Sequence, residues 1–132
     1  MLKTTFKNIL VYIFIKYVLF YIFLMFKNND FSFLKLNALK TGQDWFYYLW
    51  LFLFLPVISM ILFSAPLYFT FKVKKAIYFI IFISMILVAE YFLYTYFASQ
   101  ANLMNGVYNG IISLLLLLLF FSKQISLIFT KK

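Results

Sequence analysis

Two residues of opposite charge, Lys16 and Glu90, stand inside long apolar runs of this 132-residue chain and are its first candidates for chemistry. The other carboxylates, Asp30 and Asp44, lie in polar stretches between runs. An ionised side chain at mid-bilayer costs roughly 2.5–3.5 kcal/mol on insertion scales, so each needs a partner or a route to water. Lys16 falls near the middle of its run, and Glu90 about 10 Å from the outer end of its own at about 1.5 Å per residue. Two antiparallel helices would bring them within roughly 7 Å in depth, which a lysine stem can bridge. The expectation is an intramembrane Lys16–Glu90 charge pair, with Tyr12, Tyr17 or Tyr94 adding hydrogen bonds. Fixing helix packing is the favoured role, movement of a proton or ion the competitor, and a solitary snorkelling Lys16 the third reading.

A second constellation is uncharged. Asn102, Asn105, Gly106, Asn109, Gly110 and Ser113 fall within roughly 140° of a helical wheel, opposite Leu103, Met104, Val107 and Ile111. Small residues let helices approach closely and Asn side chains can bond across the contact, so this is a helix-packing or partner face. Packing inside the chain and docking on another copy or another protein carry equal weight here. Gly106 and Gly110 make a GxxxG, a weak signal by itself. Leu114 to Phe121 adds no polar side chain, so a polar path along this helix would stop there.

The missing residue types are as informative. There is no cysteine and no histidine, which excludes disulfides, thiol nucleophiles, ordinary zinc or haem ligation and any Ser-His-Asp or Cys-His pair. Three carboxylates are too few for most oxygen-ligated metal sites. General acid-base catalysis would have to use Glu90, Lys16 and tyrosines with no second carboxylate. No catalytic residue, metal or cofactor is therefore assigned, and an enzyme is the weakest class.

The elements that must carry these residues follow from hydropathy. The chain is 67% apolar and 25% aromatic with a mean hydropathy of +1.01, against about half apolar for soluble domains. A hydrocarbon layer about 30 Å thick needs roughly 20 apolar residues. Runs at about 8–26, 45–71, 76–97 and 103–122 meet that need and predict an all-α integral membrane protein, an antiparallel four-helix bundle in one domain. Lys16 and the following Phe26-Lys27-Asn28 argue that the first run is an uncleaved span rather than a signal peptide. The end of the fourth run is the loosest boundary, with 125–129 extending the helix or lying at the interface.

The formal charge of +9 comes from 12 lysines. With the N-terminus inside, Lys3, Lys7, Lys72, Lys74, Lys75, Lys123, Lys131 and Lys132 are cytoplasmic, against Lys27, Lys35 and Lys40 outside, which predicts both termini in the cytoplasm. Trp45, Tyr47, Tyr48, Tyr94, Tyr96 and Tyr108 fall near the outer interface, where such rings prefer to lie. The outer loop from Lys27 to Asp44 contains the apolar stretch from Phe31 through Ser32 and Phe33 to Leu36, which forms no amphipathic helix. Asp44 is placed to cap the second helix. Pro56 predicts a kink over Phe52 to Pro56, and Pro66 a tilted or unwound end. The lysines at 72, 74 and 75 could attract anionic lipid, although topology already accounts for them.

Without a folded polar surface, nucleic acid is not an expected partner. The expected partners are the bilayer and a membrane protein or a second copy. The function requiring fewest unobserved features is a non-enzymatic one through intramembrane helix-helix contacts, as an accessory subunit of a membrane complex or an immunity-type protein against a membrane-inserting toxin. In length, basicity and span number the chain is similar to immunity proteins against pore-forming bacteriocins, a similarity that carries no motif and transfers no sites. The alternative is a small proton- or ion-coupled transporter working as an oligomer. The prevalence of Phe, Ile, Lys, Tyr and Asn, residues with AT-rich codons, suggests an AT-rich genome. The expected location is a bacterial cytoplasmic membrane, with an organellar inner membrane the other possibility.

Overall fold

The computed structural model of the chain describes residues 3–31 and 34–130, so Met1, Leu2, Ser32, Phe33, Lys131 and Lys132 lie outside the described residues. Four helices, α1 (Phe6–Asn28), α2 (Gly42–Thr70), α3 (Ala76–Ala98) and α4 (Leu103–Thr130), are long and apolar enough to cross a membrane. No strand forms among the described residues.

Local chemistry sets the helix ends. Thr5 caps α1 through Oγ1, which accepts from the Asn8 N–H at 3.3 Å. At the other end Asn29 takes a left-handed φ of 50°, and the Asp30 N–H bonds back to Met25 O at 3.1 Å. This αL turn closes the helix with Asn in the position usually held by glycine. The cap of α2 corrects the expectation for Asp44. Thr41 is the N-cap, and Asp44 sits three residues in, its carboxylate accepting from the Thr41 N–H while Thr41 Oγ1 accepts from the Asp44 N–H. That reciprocal box starts the helix at Gly42, ahead of the apolar run.

Inside α2 the residues Trp50–Phe54 form a π-helical turn, in which the Leu55 N–H reaches back to Trp50 O. The bend expected over Phe52 to Pro56 thus takes the form of a π turn. In that register the donor owed to Leu51 O is the N–H of residue 56, and proline has none. Tyr21 of α1 supplies the donor instead, its hydroxyl bonding Leu51 O at 2.6 Å. Tyr21→Phe should therefore lower stability by about 1–3 kcal/mol, the cost of an unmet buried acceptor. In a Pro56→Ala background, where an N–H is restored, the loss should mostly vanish. Thermal unfolding of the four-protein cycle reads this coupling, and equal losses in both backgrounds would refute the account.

Pro66 does not unwind α2, which stays helical through Thr70. Helix α4 is kinked at a non-helical residue, Phe121 (φ −113°, ψ 18°), next to the expected end near Ser122, and a second helical segment, which includes 125–129, extends it to Thr130.

The closest backbone approaches run round a ring, α1 to α2, α2 to α3, α3 to α4 and α4 to α1. Helices α1 and α3 therefore face each other across the middle. α1 buries Ile9, Tyr12, Ile13, Lys16, Tyr17 and Phe20 almost completely, a stripe at i, i+3, i+4, i+7, i+8 and i+11. Lys16 lies within that stripe, so the helix that inserts it as core also inserts its charge.

Polarity is inverted relative to a water-soluble protein. Lys16, Glu90, Ser59, Ser64, Thr70, Thr95, Asn109 and Ser113 are buried, while large apolar side chains such as Phe14, Ile61, Met85 and Leu119 are exposed. The tyrosines expected at the outer interface divide accordingly. Tyr47 and Tyr96 are exposed, whereas Tyr94 turns into the core and meets Phe20 edge to face, centroids 4.9 Å apart.

Candidate functional site

The structure brings Lys16 and Glu90 together across the bundle, with Nζ 3.1 Å from Glu90 Oε1 and side chains 0% and 1% exposed. Nζ also lies 4.5 Å from the centroid of the Tyr17 ring, a geometry in which the ring's negative face adds to the attraction. Such a pair is costly to desolvate and needs further hydrogen bonds to offset that cost.

Those further bonds do not come from the expected tyrosines. Tyr12 donates to Ser113 O at 2.8 Å and lies 2.7 Å from Ser113 Oγ. Tyr17 Oη and Ser59 Oγ share a bond of 2.5 Å. Lys16 Nζ and both Glu90 oxygens have no geometrically aligned hydrogen-bond partner among the described residues, and neither do Thr95 Oγ1 and the Asn109 side chain. Tyrosines on a helix reach past their immediate neighbours, so the nearest backbone or hydroxyl acceptor on a different helix takes the bond.

Aromatic layers close the pair in. Phe20 and Tyr94, one turn along α1 and α3 from Lys16 and Glu90, pack against each other on one side. On the other side Phe121 packs on Tyr12 and Phe71, centroids 5.9 and 4.9 Å apart. Both Phe20 and Phe121 are almost wholly buried. The arrangement holds two opposite charges in a low-dielectric interior. No third charged side chain is buried beside them among the described residues. The titratable neighbours are Tyr12 and Tyr17, whose hydroxyls are bonded to Ser113 and Ser59, and no group of His, Cys, Asp or Glu suited to a metal ion occurs among the described residues.

The small polar face of α4 splits into three parts. Gly106, Asn109 and Ser113 point inward and are buried, Ser113 receiving Tyr12. A Cβ built on Gly106 would meet Thr95 Oγ1 and, at 2.9 Å, Tyr91 Cδ2, so α3 packs onto this glycine. Asn102 and Asn105 serve the turn between α3 and α4 instead. Asn102 Oδ1 accepts from the Met104 N–H at 3.1 Å, and Asn105 accepts from Lys27 Nζ at 3.3 Å while donating to Ser99 Oγ at 3.0 Å. Gly110 alone faces open space, with nothing within 4 Å of an added Cβ.

Sequence reasoning missed Ser59 and Thr95. Each is a small polar residue in an apolar run, and Ser59 shares a helical stripe with Phe63, Leu67 and Thr70, a signal that was there to be read. No protein-family model matches the chain, and neither a curated protein nor a solved structure matches it.

Proposed function

We propose that the chain is an integral membrane protein whose four helices cross the bilayer in alternating directions, with both termini cytoplasmic, and that it acts without catalysis through helix-helix contacts with another membrane protein. Contact of Tyr12 with Ser113 towards one end and of Lys27 with Asn105 towards the other supports opposite directions for α1 and α4. The lysine distribution supports the orientation, and a bacterial cytoplasmic membrane is the setting that fits it.

The observation that carries the reading is the enclosure of the Lys16–Glu90 pair. A translocated proton or ion needs a polar route, and aromatic layers lie on both sides of these charges. The pair then pins α1 to α3, and the surface is left to do the work. On that surface Leu103, Val107, Gly110 and Leu114 follow one another at spacings of four, three and four, all at least partly exposed. This is the spacing of a seam that accepts a neighbouring helix, with glycine allowing close approach. Accessory subunit and immunity-type protein are the two versions of this role.

The test is to purify the tagged native protein in a gentle detergent and weigh the intact complex. A stoichiometric second protein is expected, and Gly110→Leu should lose it without lowering the melting temperature of the chain. A homo-oligomer that carries pH-dependent flux, abolished by Glu90→Gln, would overturn the proposal in favour of transport.

A further inference from the structure

Between α2 and α3 a groove of about 660 Å³ opens on the surface, walled by apolar side chains including Phe63, Phe69, Val73, Met85 and Ile86. It lies within the ~300–1,000 Å³ range of small-molecule sites. Pro66 and Ala89, two short side chains among long ones, leave room in it. From Leu62 to Thr70 it follows α2 for about 12 Å at about 1.5 Å per residue, somewhat under half the thickness of a hydrocarbon layer, and Val73 in the turn beyond continues the wall.

One end of this groove is strongly cationic. Val73, in the groove wall, is flanked by Lys72 and Lys74, and Lys75 follows, all three exposed. Lys72 stands at the rim of the groove, its Nζ 4.2 Å from the centroid of Tyr68, outside the lining, and 5.9 Å from that of Phe69, which lines it. No acid occurs in the sequence between Asp44 and Glu90; the first is at the far end of α2 and the second is buried. The same turn leads into α3, whose N-cap, Lys75, offers no side-chain acceptor to the first backbone N–H groups. Free N–H groups and the helix dipole add to the positive field there.

We propose that this groove is a binding site for one anionic glycerophospholipid. An acyl chain lies against Phe63, Val73 and Ile86, and the phosphate sits among Lys72, Lys74, Lys75 and the N-terminus of α3. Charge complementarity selects this occupant. A partner helix would fill the apolar channel equally well but would leave three lysines and the uncapped N–H groups without a counter-charge. The site requires membrane insertion but not a protein partner, so its test stands apart from partner capture.

The experiment reconstitutes the full chain into vesicles of phosphatidylcholine with one-tenth phosphatidylglycerol, extracts it gently, and quantifies the lipid retained per protein by mass spectrometry. Phosphatidylglycerol should be enriched over its bulk share. Each lysine changed to glutamine among 72, 74 and 75 should cut that preference about fivefold, from roughly 1 kcal/mol per cation at the surface. Ala89→Phe, at an exposed position, should displace the lipid with all three lysines in place. Changing Lys27, Lys35 and Lys40 together, at the other end of the molecule, should leave the enrichment as it was. Enrichment that follows total charge, dropping as much when Lys27, Lys35 and Lys40 are changed together as when Lys72, Lys74 and Lys75 are changed together, would overturn the proposal. So would a rise in melting temperature with inorganic phosphate or glycerol phosphate equal to the rise that phosphatidylglycerol produces.

Discussion

Replacing Glu90 with glutamine, or Lys16 with methionine, should each destabilise the folded chain by about 3–5 kcal/mol, and making both changes together should restore much of the loss. The asymmetry follows from where the energy lies. A buried ion pair contributes little net stability, because desolvating two charges offsets their attraction, but removing one partner strands the other in a medium that cannot solvate it. Lys16 and Glu90 are 0% and 1% exposed, so neither can reach water by rotating its side chain. The measurement is the melting temperature of the wild type, both single variants and the double variant in one detergent. A double variant no more stable than the worse single would show that the two charges do not depend on each other. The aromatic layers around the pair make that result unexpected, because Phe20, Tyr94 and Phe121 leave few other groups within reach of either charge.

The positions of the long helices were legible because hydropathy over some 20 residues is a cumulative signal that no single substitution erases. The partners of individual polar atoms were much harder to read. Lys16 and Glu90 could be matched because each is the single charged residue of its run and a lone intramembrane charge needs an opposite one. Tyr12, Tyr17 and Tyr94 could not, because a tyrosine has many acceptable neighbours and its choice depends on helix rotation. Tyr12 settles on Ser113 and Tyr17 on Ser59, while Tyr94 meets Phe20 edge to face. Boundaries failed where the signal was short-range. Thr41 displaced Asp44 as the N-cap of α2 because the backbone geometry of one residue decides that role, whereas the end expected for α4 near Ser122 falls beside the kink at Phe121, beyond which a second helical segment runs to Thr130. Pro56 was recognisable as a disruption, but that a π turn would absorb it depended on Tyr21 standing opposite Leu51.

The two glycines of the GxxxG should separate sharply under the same substitution. Gly106→Ala is expected to lower stability by about 1–3 kcal/mol, the usual cost of forcing a methyl into a close-packed contact. Its Cβ would meet Thr95 Oγ1 and the Tyr91 ring, and neither neighbour has an easy retreat. Thr95 is buried against α4, and Tyr91 is held on the same helix, one turn below. A β-branched side chain is also stiff about its first torsion, so Thr95 cannot swing aside without a new rotamer. Gly110→Ala meets nothing within 4 Å and replaces the poorer helix former, so it should be neutral or stabilising by up to about 1 kcal/mol. Thermal unfolding of the two variants side by side gives the answer. If both lose stability equally, the motif acts as one unit against one neighbour. If only Gly106→Ala does, the motif is divided, one glycine holding α3 against α4 inside the bundle and the other leaving a smooth surface on which a second helix can come close.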